Sequence, residues 1–212
     1  MKIKTLLIAL ALLTSFIFAQ TTRPATQLED ADFKFMLRGY CYAGSKIPDK
    51  QALGGFAGSS HFPKPIKPGK GLRSGEYYLL ANPGESSDFY GKYKGMTLHL
   101  INATNKPVAF PAQDSRLPII QEAKDKSGQW RPIEYLASSW CGNSYHRIFL
   151  GSNQYWSFDV PRYAGKFKTK LRFKLEGEKI IYSNEFEGSI NEEQFSIKQG
   201  YTPNGIMDPY IN

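Results

Sequence analysis

Two side chains in the stretch Ser138 to His146 have the types that covalent chemistry needs, Cys141 and, five positions later, His146. A cysteine attacks as its thiolate, and a neighbouring imidazole is a common base for making one. A Cys-x4-His spacing around a loop can bring the two together, yet the chain offers no obvious third group to orient the imidazole. Cys41 also competes for the Cys141 sulfur by oxidation. The spacing therefore assigns no catalytic residue, and an enzyme using Cys141 and His146 is the second reading of this chain.

Copper is the other chemistry these types permit, because a soft thiolate with nearby imidazoles on a β framework is how blue-copper centres are built. Cys141, His146 and the more distant His99 have suitable types, and in this the loop resembles the cupredoxin arrangement. That resemblance implies a downstream methionine, where this chain has Leu150, and a chain that ends soon afterwards, where about 65 residues follow. No metal ligand set and no cofactor is assigned, so a copper-binding periplasmic protein stays with the second reading. His61 stands alone in a Gly/Pro-rich segment.

Paired carboxylates for glycoside hydrolysis need a fold that sets them about 5 to 10 Å apart. Asp114, Glu122, Asp125 and Glu134 fall in separate strands or turns and read as solvated turn and edge residues. Aromatic residues make up 14% of the chain, and Trp130, Tyr135, Trp140, Tyr145, Tyr155 and Trp156 crowd one part of it. Such rings give large rigid contact area to a partner or a sugar, although a β core also consumes a tryptophan or two. Trp140, Tyr145 and His146 are the candidate contact residues of this loop.

A basic strand is the second candidate surface. Lys166, Lys168, Lys170, Arg172 and Lys174 alternate with Phe167, Thr169, Leu171, Phe173 and Leu175, so one face is cationic and the other apolar. A two-residue turn at Gly177-Glu178 would set Lys170 opposite Glu185, Lys168 opposite Glu187 and Phe173 opposite Tyr182. Lys168, Lys170 and Arg172 are the residues an anionic polymer would touch. A solvated face that blocks edge pairing explains the same pattern.

The compartment is written at the N-terminus. Lys2 and Lys4 precede an apolar run from Thr5 to Phe18, and Ala19 is a small residue suited to a cleavage site, so residues 1–19 read as a secretory signal peptide. The run is too short and wrongly flanked for a membrane span, which predicts a soluble periplasmic or extracellular protein. Removing Lys2 and Lys4 from 27 basic groups leaves 25 against 19 acidic ones, a mature charge of about +6. That balance mildly favours anionic partners, and export argues against nucleic acid. In an oxidising compartment Cys41 and Cys141 are expected to form a disulfide. Closing a loop of about 100 residues, it would contribute about 4 to 5 kcal/mol in the chain-entropy model.

The elements that hold these residues are strands. Eight candidates follow one another: Met96 to Ala103, Val108 to Pro111, Leu117 to Lys124, Trp130 to Leu136, Tyr145 to Leu150, Gln154 to Val160, Lys168 to Leu175 and Lys179 to Glu187. Short turns such as Asn105-Lys106-Pro107 and Asp125-Lys126-Ser127-Gly128 separate them, and no helical period is sustained. The pattern over 96–190 resembles immunoglobulin-like or fibronectin-type sandwiches, which implies a mainly β, antiparallel β-sandwich. Residues 20–95 form the N-terminal part. Polar residues 20–32 read as a flexible leader, Phe33 to Tyr42 as a strand, 43–75 as a long Gly/Pro-rich loop, and Tyr77 to Leu80 as one short strand before a turn at Asn82-Pro83-Gly84. Residues 191–212 form a C-terminal tail.

No motif names a reaction. The chain reads as an exported, non-enzymatic binding or assembly protein whose partner is an unknown protein or a carbohydrate or anionic cell-envelope polymer.

Overall fold

The computed structural model describes residues 27–67, 73–139 and 141–199. The expected signal peptide, the leader up to residue 26, Trp140 and the tail beyond 199 lie outside them. Among the described residues the chain forms thirteen strands: β1 (Leu37–Arg38), β2 (Lys64–Pro65), β3 (Tyr77–Phe89), β4 (Tyr93–Asn102), β5 (Val108–Gln113), β6 (Ile119–Lys124), β7 (Trp130–Pro132), β8 (Glu134–Tyr135), β9 (Tyr145–Leu150), β10 (Gln154–Pro161), β11 (Phe167–Leu175), β12 (Ile181–Tyr182) and β13 (Phe186–Ile190). Helical structure among the described residues is confined to two 3-10 turns, Gly142–Ser144 and Glu192–Phe195.

The protein is mainly β, with several antiparallel sheets and none closed. One sheet runs β2-β10-β4-β3, and a second runs β12-β11-β6-β7 with β13 also on β11. β5 and β9 pair antiparallel as a ribbon, and β1 pairs parallel with β8. Inward residues of both large sheets and the ribbon meet in one core, including Leu79, Leu98, Leu100, Phe110, Ile119, Ile148, Phe173 and a fully buried Trp156. In β10 the parity is strict, since Trp156, Phe158 and Val160 face in. Burying Trp156 requires a partner for its indole N–H, and the carbonyl of Gly44 accepts it at 3.0 Å.

The expected short strand at Tyr77 continues to Phe89, because Asn82 to Ser86 is absorbed as an irregularity in the β3-β4 ladder rather than ending it. The Lys179 to Glu187 strand divides instead. β12 pairs Lys174 with Tyr182, then β13 pairs Lys170 with Glu187 and Leu171 with Phe186, so the register set by a two-residue turn is not adopted. The break has a cause at Asn184. Its amide leaves the ladder and bonds both the N–H and the C=O of Ala81 in the other sheet, at 2.9 and 3.0 Å. Phe173, fully buried, stacks on Phe186 at 6.0 Å, while Tyr182 faces outward.

The N-terminal segment is more tightly held than its polarity implies. Ala31 is fully buried, the Glu29 N–H donates to the Lys92 carbonyl, and the Lys94 N–H donates to the Glu29 carbonyl. Residues 33 to 40 are mostly irregular rather than one strand, and their aromatics build a second apolar cluster with Phe89, Ile133, Tyr163 and Leu171. The Gly/Pro-rich segment lies along the sheets, where β2 pairs with β10 and Gly44 passes Ser59 so closely that a Cβ would meet its carbonyl oxygen at 2.2 Å.

Candidate binding groove

The Cys141 loop does not assemble a reactive pair. Cys141 is exposed and its N–H donates to Ser139 Oγ, whereas His146 is buried on β9 with its ring stacked on Phe56 at 3.7 Å. His146 Nδ1 lies 3.3 Å from the Ser144 carbonyl, and Nε2 meets no hydrogen-bond partner among the described residues. The loop is tied to itself, with Ser139 Oγ donating to Ser144 Oγ and the Ser139 N–H donating to the Tyr145 hydroxyl. Tyr145 is half exposed and borders a cavity of about 220 Å³ with Pro111, Pro118 and Leu136. His99 lies elsewhere, edge-on to Tyr155 and 3.7 Å from Glu85. Among the described residues no three His, Cys, Asp or Glu side chains gather to hold a metal.

The expected disulfide is absent. Cys41 is 1% exposed inside the main core, and Cys141 stands on the surface, so the two thiols occupy opposite environments and both are free. Burial pushes the Cys41 thiol well up, and the Glu134 carboxylate adds to the effect. The link between N-terminal segment and sheets is therefore packing and hydrogen bonding. For example, the Leu117 N–H donates to the Cys41 carbonyl.

On the basic strand the charges are largely answered. Lys168 and Lys170 are exposed, with Lys170 Nζ 3.4 Å from Glu185, a diagonal neighbour in the observed register. Arg172 is a different case. Its guanidinium lies over the Trp130 ring at 4.2 Å and the Tyr182 ring at 3.7 Å, and both Nε and Nη2 bond Glu122 Oε2, at 2.8 and 2.7 Å. Glu122 itself is 6% exposed. This arginine is a structural clamp between β11, β6 and β7, not a free cation for a polymer.

A second concave surface is built by residues that sequence patterning did not single out. Tyr40 is half-buried and packs against both the main core and the second apolar cluster, while Tyr42 is exposed. The β3-β4 turn brings Phe89 and Tyr90 to them. Two cavities, of about 340 and 390 Å³, share these four aromatics. Arg38 and Gln199 close the first, while Ser59, His61, Asp88 and Asp159 line the second. Tyr40 packs edge-on to Phe89 at 4.9 Å, and Phe89 meets Tyr90 at 4.2 Å. Tyr90 is 72% exposed and has φ of 56°, followed by Gly91 at 64°. A turn with two positive φ angles is the place for Asn-Gly, and tyrosine there carries about 1 kcal/mol of backbone strain. The turn is held by Asp88 Oδ1, which accepts the Gly91 N–H at 3.0 Å.

Beneath the groove lies a buried carboxylate. Glu134 is 1% exposed, and its Oε1 accepts hydrogen bonds from the hydroxyls of Tyr40 and Tyr163, both at 2.7 Å, while Oε2 accepts the Gln121 N–H at 2.8 Å. Burial pushes its pKa up to about 7, and the three donors oppose that rise. Burial together with this carboxylate also drives the Tyr40 and Tyr163 hydroxyls well up, so both remain protonated donors. Glu122 and Glu134 are thus interior groups, contrary to their reading as solvated edge residues. Glu134 fixes the Tyr40 ring from behind, whereas Tyr42 and Tyr90 present hydroxyls with no partner among the described residues.

Sequence signals for this site were faint. The bulky run from Phe33 to Tyr42 was visible, but nothing local announces that Tyr90, nearly 50 positions later, completes its surface. Comparison of the chain with protein-family models, with curated proteins and with solved structures found no match.

Proposed function

We propose that this chain is an exported, non-enzymatic binding protein that holds its partner in the groove of Tyr40, Tyr42, Phe89 and Tyr90. The observation that carries the reading is Tyr90, a large ring kept 72% exposed on a left-handed backbone beside cavities of about 340 and 390 Å³. Strain of this kind persists where it serves a site, and tyrosine offers rigid, amphipathic contact area at low entropic cost. An immunoglobulin-like sandwich is the framework this reading adopts. Support for it comes from antiparallel sheets over a shared core around Trp156. Export rests on Lys2, Lys4 and the apolar run to Phe18.

The test is co-sedimentation of the purified mature protein with an envelope preparation from its source cells. The Tyr42→Ala/Tyr90→Ala double variant should remain folded by circular dichroism and lose retention by about tenfold or more. Retention unchanged in that variant would move the partner surface elsewhere, with Lys168 and Lys170 the next positions to substitute.

A further inference from the structure

Resting on that reading of the groove, we infer that its ligand is a neutral saccharide chain. The first argument is shape. The cavities of about 340 and 390 Å³ adjoin, since Tyr40, Tyr42, Phe89 and Tyr90 line both, and together they make one candidate trough. A ligand that occupies both is elongated and passes the shared aromatic residues midway. A small cation would instead call for rings converging on one point.

The second argument is the chemistry of the walls. Aromatic faces attract the weakly polar C–H faces of a pyranose ring, and hydroxyl-rich edges need donors and acceptors beside those faces. Both are supplied here. The Tyr42 and Tyr90 hydroxyls have no partner among the described residues, and no donor among them bonds the Asp159 carboxylate or Asp88 Oδ2. Ser59, His61 and Gln199 complete a polar rim. Charges of both signs occur along the trough, Arg38 at one end and Asp88 with Asp159 at the other, which suits a neutral polyol and opposes a polyanion or a polycation. The interior fixes this surface in advance. Tyr40 is anchored to buried Glu134 at 2.7 Å, so its ring need not be ordered on binding.

The experiment is isothermal titration of the mature protein with neutral hexasaccharides of β-1,4-glucose, α-1,4-glucose, β-1,4-mannose and β-1,4-N-acetylglucosamine. Heparin hexasaccharide and choline serve as charged probes. At least one neutral chain should bind, its hexasaccharide more tightly than its disaccharide because only the longer spans both cavities. Tyr42→Ala and Tyr90→Ala should each weaken binding by about tenfold, whereas Tyr90→Phe, which keeps the ring, should stay within about threefold. Three outcomes overturn the inference: no neutral chain binds, a charged probe alone binds, or binding ignores the tyrosine substitutions. If saccharides fail while envelope retention still depends on Tyr42 and Tyr90, the groove stands and its ligand is of another class. If retention is also indifferent to them, the groove itself is not the site.

Discussion

The Tyr40 hydroxyl donates to Glu134 Oε1 across 2.7 Å, and the Tyr163 hydroxyl meets the same oxygen from the other side. This places the most deeply buried carboxylate of the described residues directly behind the groove and makes its ionisation a property of the fold. Because burial raises the Glu134 pKa from 4.5 to about 7, the folded state holds its proton more tightly than the unfolded chain does. The sign follows from linkage. The associated stability is fully present below pH 4.5, declines as pH rises from there to about 7, and is gone above it. Its size is about 3 kcal/mol.

Urea denaturation of the wild type between pH 4.5 and 7.5 should therefore show that decline superimposed on the titration of surface groups. In Glu134→Gln the Glu134 part of the slope should vanish. A glutamine can accept the Gln121 N–H through its oxygen and donate both amide hydrogens to the two tyrosine oxygens, so the variant should fold. Equal slopes in the two proteins would mean that Glu134 does not titrate in this range.

The two thiols should separate cleanly under alkylation. Cys141 is exposed and should react with iodoacetamide in the native protein, while Cys41, 1% exposed and held protonated by burial, should react only on unfolding. Peptide mapping without reductant checks this. A joined pair of Cys41 and Cys141 peptides would overturn the arrangement described above.

Arg172 and Lys170 lie on the same face of β11 and should behave differently. Removing Arg172 leaves Glu122 buried without its partner and opens the space between Trp130 and Tyr182, at a cost of about 3 kcal/mol. Lys170→Ala breaks only an exposed contact with Glu185 and should cost less than 1 kcal/mol. Arg172→Lys should recover little, because an ammonium neither stacks on both rings nor bonds Glu122 through two nitrogens. Equal costs for the two alanine variants would remove the clamp from the account.

Strand positions were legible wherever alternation was strong. Tyr145 to Leu150 and the β10 and β11 faces follow from residue type alone. The hairpin register after β11 was not legible, because Asn184 is captured by Ala81, 103 residues away, and no local turn chemistry encodes that bond. The same reason hid the groove. Tyr40 and Tyr90 are brought together by the sheet order, and Glu134 looks like an edge carboxylate until β1 pairs with β8 beside it. Cys41 and Cys141 misled in the opposite direction, since compartment and count favoured a bond that the fold does not form, with Cys41 buried in the core and Cys141 on the surface.

Tyr90 offers the sharpest separation of structure from function. Its φ of 56° suits asparagine, and its ring is 72% exposed, so Tyr90→Asn exchanges strain for a small loss of contact with Phe89. The variant should be as stable as the wild type or more so, by up to about 1 kcal/mol. Phe89→Ala should instead cost about 3 to 5 kcal/mol, because that ring is 2% exposed and joins the second apolar cluster. Urea unfolding of both variants, read beside their binding, decides the point. A residue retained for its contact surface gives a stable protein with a silent groove. Should Tyr90→Asn lose more than about 1 kcal/mol, the tyrosine would be holding the β3-β4 turn, and its strain could no longer be assigned to binding.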